Sequence, residues 1–180
     1  LIILRYIVTI VLAFLGLATY LFFYLGVNKP VTVELGERGP FHLLYENHLG
    51  AYHEIGPVIS EVEKWARSQH VDCPLTFGEY LDDPNAVDQD RLHSRGGCVL
   101  NAKPNVAWPE TFSYEERPQG HFAIGHFEGS PAIGPWKVYP KIKDFLDARR
   151  LKNNGPVIET YLIRGEHITT EYLFPVEVSR

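Results

Sequence analysis

Methionine is missing from all 180 residues, position 1 included, which points to a trimmed or unusual start. Basic side chains are in deficit: 17 Lys and Arg against 22 Asp and Glu leave a net charge of −5. No basic face is expected to offset phosphate repulsion, so a nucleic-acid partner is disfavoured. Cysteine is limited to Cys73 and Cys98, which flank one predicted hairpin. They can pair only if their Cα atoms come within about 7 Å, and two partly buried free thiols are the alternative. No nucleophile elbow, Ser/His/Asp order or glycine-rich phosphate loop is present, so those enzyme classes find no support. Histidines are plentiful but badly spaced for a metal. His48 and His53 are five apart, as are His121 and His126, which on a strand puts side chains on opposite faces. Neither a metal nor a cofactor is expected.

Charge is also missing from Tyr6 to Val27. A helix of about 22 residues spans about 33 Å and covers a bilayer core. A cleaved signal peptide needs a shorter apolar region and a small-residue cleavage site. This run instead ends in Tyr20, Phe22, Phe23 and Tyr24, an aromatic belt suited to headgroups. The expectation is a single-pass membrane helix within residues 1–28, followed by one domain over residues 29–180. Arg5 on one side is balanced by Lys29 and Arg38 on the other, so the side of the membrane facing the domain is undetermined.

What is present reads as an α+β domain. Residues 28–40 form a linker or first strand, and Phe41 to Glu46 alternate as a strand. Val58, Ile59, Val62, Trp65 and Ala66 recur at helical spacing behind Pro57, with Glu61, Glu63, Lys64 and Arg67 on the wet side. Strands follow at Leu75 to Leu81 and near Gly97 to Leu100, then a connection carrying Phe112 and Tyr114. The next strand is His121 to Glu128, and a helix over about Trp136 to Leu151 has Pro140 near its start. Strands at Gly155 to Ile163 and Thr169 to Val176, joined by a turn at Arg164, Gly165 and Glu166, end the chain.

The order is strand, helix, strand, strand, twice. Ile55-Gly56-Pro57 and Ile133-Gly134-Pro135 enter the two helices, and the strands align Tyr80 with Tyr161. This predicts a tandem βαββ repeat, about residues 31–103 and 112–178, with a paired antiparallel sheet, both helices on one face and the other face open between the units. On the strand after Gly155, Val157, Glu159, Tyr161 and Ile163 share a face, and the carboxylate among them is the oddity. It is either solvated on an edge strand or kept to meet a ligand. Gly78 occupies the symmetric position and leaves room against it.

In His48-x-Gly50-x-Tyr52, the Ile55-Gly56-Pro57 helix entry, Tyr80-Leu81-Asp82-Asp83-Pro84 and Glu159-x-Tyr161, the chain resembles the GyrI-like small-molecule-binding domains, also called effector-binding or SHS2-type. The likeness covers about Val31 to Val176. Tyr80 to Asn85, Val138-Tyr139-Pro140 and Glu159-Thr160-Tyr161 further resemble the testis-expressed ER-phagy receptor family, which joins a membrane helix to such a domain. That family has a long tail carrying its autophagy motif, whereas this sequence stops at Arg180, so the architecture is implied and the receptor function is not.

The resemblance implies a cleft between the repeats that takes flat, lipophilic, often cationic molecules, with Glu159 and Tyr161 matching its acidic motif. Tyr52, Tyr80, Trp136 and Phe127 are added from their places on the cleft side, against the alternative of core packing for each. Two other functions are weighed: a membrane-proximal protein-interaction scaffold whose partner is unknown, and a hydrolase with Glu159 as general base and Glu128 as the second acid.

Overall fold

The computed structural model describes residues 2–165 and 167–177. Glu166, assigned above to the last turn, and positions 178–180 lie outside them. The charge-free run forms α1 (Ile2–Tyr24), with no residue buried against the domain. It is long and apolar enough to cross a membrane. The domain then runs β1 (Val31–Arg38), β2 (Phe41–Leu49), α2 (Gly56–Ser68), β3 (Leu75–Tyr80), β4 (His93–Leu100), β5 (Phe112–Arg117), β6 (Gly120–Glu128), α3 (Gly134–Arg149), β7 (Val157–Arg164) and β8 (His167–Pro175).

The strands make a single antiparallel sheet in the order β1-β6-β8-β7-β3-β4-β2-β5. The two halves meet at β7 and β3, and counting outward from that seam gives matching strands on each side. One exchange breaks the simple tandem. β1 belongs by sequence to the first half but pairs with β6, while β5, next to β6 in sequence, pairs with β2. The edge strands of the two repeats are swapped, so the boundaries expected at residues 31–103 and 112–178 do not match the spatial halves. The segment carrying Phe112 and Tyr114 is itself a strand rather than a bare connection. Phe112 and Tyr114 pack with Trp65 and Trp108 against the Leu44 and Val62 cluster, and that burial holds it extended.

Both helices lie on one face. Each rests on a glycine: a Cβ at Gly96 would come within 2.7 Å of Ile59 on α2, and one at Gly125 within 2.4 Å of Val138 on α3. Val62 and Ala66 of α2 pack on Leu44 and Cys98, and Val138 and Ile142 of α3 on Ala123 and Phe174. Pro140 sits inside α3, which begins two residues earlier than expected, and the N–H that would reach the Trp136 carbonyl is missing.

The opposite face is not open. The sheet curls until Phe41 of β2 meets Phe122 of β6 edge to face, 6.2 Å between centroids, with four strands lying between them in sheet order. Leu43, Phe77, Ile124, Ile158 and Leu173 fill the inside of that curl. Cys73 and Cys98 are disulfide-bonded with Cα atoms 5.5 Å apart, tying the segment after α2 to β4.

Candidate ligand-binding site

Because β7 lies at the seam between the halves and not at an edge of the sheet, alternation turns Val157, Glu159 and Tyr161 toward the helix face at the middle of the sheet. Glu159 is 2% exposed. Both of its oxygens are held by phenols: the Tyr139 hydroxyl of α3 donates to Oε1 at 2.9 Å, and that of Tyr161 donates to Oε2 at 3.0 Å. Tyr161 is in turn 3.0 Å from the Tyr80 hydroxyl, which joins the two halves across the seam. The Tyr52 ring meets Tyr80 edge to face at 4.7 Å. Its own hydroxyl is fixed at 2.8 Å from both the carbonyl and the amide of Asp82.

Gly78 is the direct register partner of Glu159. A Cβ there would lie 3.1 Å from the Tyr80 hydroxyl and 3.4 Å from that of Tyr161. The bare position is what lets two phenols meet beside the acid. On the other flank Glu159 pairs with Tyr172 of β8, fully buried, whose ring is edge to face with Tyr139.

Among the described residues no guanidinium, ammonium or imidazole lies within ion-pair distance of Glu159. Burial therefore dominates its titration and pushes it up from 4.5 to about 7, although the bonds from Tyr139 and Tyr161 pull the other way. Burial, and then the Glu159 charge, push the Tyr139, Tyr161 and Tyr80 hydroxyls up in turn. The result is an acid poised between charged and neutral, surrounded by neutral donors and by ring faces that favour a cation.

The model for the GyrI-like small molecule binding domain matches residues 32–177. The chain belongs to the GyrI-like family. Among solved structures, the EcmrR C-terminal domain superposes with a TM-score of 0.67 at 13% identity, over 83% of this chain and 99% of that one. EcmrR in complex with DNA gives 0.66 at 12%, over 98% of this chain and 69% of that one, a span that takes in α1. SAV2435 bound to tetraphenylphosphonium gives 0.53 at 11%, over 81% and 94%. At such identities the fold is what is shared. A comparison with curated protein sequences finds no match.

In this GyrI-like domain Glu159, Tyr161, Tyr80 and Tyr52 form one continuous group. The other proposed residues lie elsewhere. Phe127 is 1% exposed and packed under α3 with Val138 and Ile142. Trp136 is 86% exposed on the first turn of α3. Glu128, at the end of β6, lines a different cavity beside the end of α1. Sequence reasoning missed Tyr139 and Tyr172. Tyr139 is hidden because a helix start reads as packing, although its place in Val138-Tyr139-Pro140 was a signal. Tyr172 is found only through strand register.

Proposed function

We propose that this chain is a membrane-anchored receptor for a lipophilic cation, which binds against Glu159 between α2 and α3. One observation carries the reading: Glu159 is a fully buried carboxylate whose partners are phenols and not a cation. A carboxylate in that setting is costly unless a positive charge reaches it, and flat aromatic walls add cation–π attraction. Tetraphenylphosphonium, the compound bound to the structural relative SAV2435, has the required chemistry. The tyrosines Tyr52, Tyr80, Tyr139 and Tyr161 are each partly exposed while Glu159 is not, so they form the lid that a ligand displaces.

The anchor is α1, whose length and aromatic end fit a bilayer and its headgroup region. Likeness to the anchored ER-phagy receptor family supports the same layout and adds no activity to it. The Cys73–Cys98 pairing supports placing the domain on an oxidising side of the membrane. A hydrolase would need a second acid beside Glu159, and Glu128 does not supply it.

The test is calorimetric titration of the chain with tetraphenylphosphonium at pH 6 and pH 8, beside Glu159→Gln. Binding is expected to tighten at the higher pH as the carboxylate ionises. Glu159→Gln is expected to weaken it by about tenfold or more, about 1.4 kcal/mol. Equal binding by the variant removes the carboxylate from the site.

A further inference from the structure

The end of α1 is bolted to the domain. The Leu25 carbonyl accepts from the Ser130 amide at 3.0 Å. The Lys137 ammonium on α3 donates to the carbonyls of Gly26 at 3.2 Å and Val27 at 2.6 Å, and also to that of Lys29. Beside this elbow lies a cavity of about 570 Å³, walled by Phe23, Tyr24 and Lys29 on one side and by Glu128, Ser130 and Thr169 on the other.

Two features of the cavity point to its occupant. The first is depth. Phe23 and Tyr24 end the apolar helix, so a wall made by them and continued by polar loops sits where acyl chains give way to headgroups. Apolar side chains also project nearby: Trp136, next to the Lys137 clamp, is 86% exposed, and Ile163, the register partner of the cavity-lining Ile168, is 58% exposed. The second is charge. The cavity offers one cation, Lys29, and one anion, Glu128, and neither side chain forms an ion pair or hydrogen bond with any described residue. Lys137 is excluded from this role because its ammonium already donates to the carbonyls of Gly26, Val27 and Lys29, just beyond α1.

We infer that this cavity binds the headgroup of a bilayer phospholipid that carries both a phosphate and an ammonium. Lys29, with the Ser130 and Thr169 hydroxyls, meets the phosphate. Glu128 meets the ammonium, and Phe23 and Tyr24 pack on the glycerol region. Its volume falls within the range usual for small-molecule sites. The inference rests on α1 spanning a membrane, and it concerns a site separate from Glu159.

The experiment uses the full chain reconstituted in phosphatidylcholine vesicles with a trace of phosphatidylcholine bearing a diazirine next to its phosphate. After flotation and illumination, adducts are mapped by mass spectrometry. The expected result is labelling of peptides containing Ser130 and Thr169 as well as Lys29. It should fall about threefold in Glu128→Gln and in Lys29→Ala, the size of one exposed charge contact, with Lys29→Arg restoring it. A phosphatidylglycerol probe, which has no ammonium, should label these peptides less and be indifferent to Glu128→Gln. If the chain floats but adducts are confined to Ile2–Tyr24, or the variants label like the parent, the site is wrong and the anchor stands. If the chain does not float, the anchor fails and takes the site with it. Both substituted side chains are exposed, so the variants keep the fold.

Discussion

Glu79 and Glu159 are two buried carboxylates on neighbouring strands, 1% and 2% exposed, that face opposite sides of one sheet. Glu79 has its counter-charges in the chain: Arg117 reaches it at 2.8 Å and Arg95 at 3.3 Å. Glu159 has phenols. The fold therefore favours the protonated form of Glu159, since burial raises its pKa from 4.5 to about 7. Its contribution to stability is full below about pH 4.5 and is lost as pH rises to about 7, a total of about 3 kcal/mol. Urea unfolding of ligand-free Asn28–Arg180 should show that loss, and Glu159→Gln should abolish most of it. Tyr139→Phe removes a donor to the ionised form, so the carboxyl should titrate higher still, which the infrared carboxylate band would report. A fall in that titration would mean that Tyr139 is not a donor.

At the scale of elements, α3 is positioned to within a methyl group. Gly125→Ala puts a Cβ 2.4 Å from Val138, so the helix must lift, and the substitution should cost about 1–3 kcal/mol. Gly56→Ala at the start of α2 meets nothing within 4 Å and should change stability by no more than about 0.5 kcal/mol. Matched urea midpoints for the two would show that close approach on β6, and not glycine replacement itself, sets the cost. The disulfide closes a 25-residue separation, and replacing Cys73 and Cys98 by Ala together should remove about 3 kcal/mol.

The same scale decides what could be read in advance. Helical spacing located α2 and α3, and alternation put Glu159 and Tyr161 on a common face, because each of those signals is local. β5 escaped because Pro109 and Pro118 bracket it and its burial comes from Trp65, some fifty positions away. Tyr172 escaped because only register brings it beside Glu159. The curl that fills the face opposite the helices comes from Phe41 meeting Phe122, a contact between strands that no short window contains.

For the whole molecule, α1 and the domain form one lever, with Lys137 as the pin. Lys137→Met removes the three carbonyl contacts beyond α1 while Phe127 still packs beneath it. The Ser130 amide, bonded to Leu25, should then exchange about tenfold faster in deuterated water. Unchanged exchange would show that the pin carries no load.

The swapped edge strands bear on how the protein is made. As the chain leaves the ribosome, β1 follows α1 but finds its partner only when β6 has emerged. β2 likewise keeps one edge bare until β5 arrives. Neither half can close its own sheet, so a nascent chain halted between β4 and β5 leaves β1 unpaired and the outer edges of β2 and β3 bare, an aggregation hazard. Completion is then a single late event: the second repeat, on arriving, supplies the first with its missing edge and takes β1 in return.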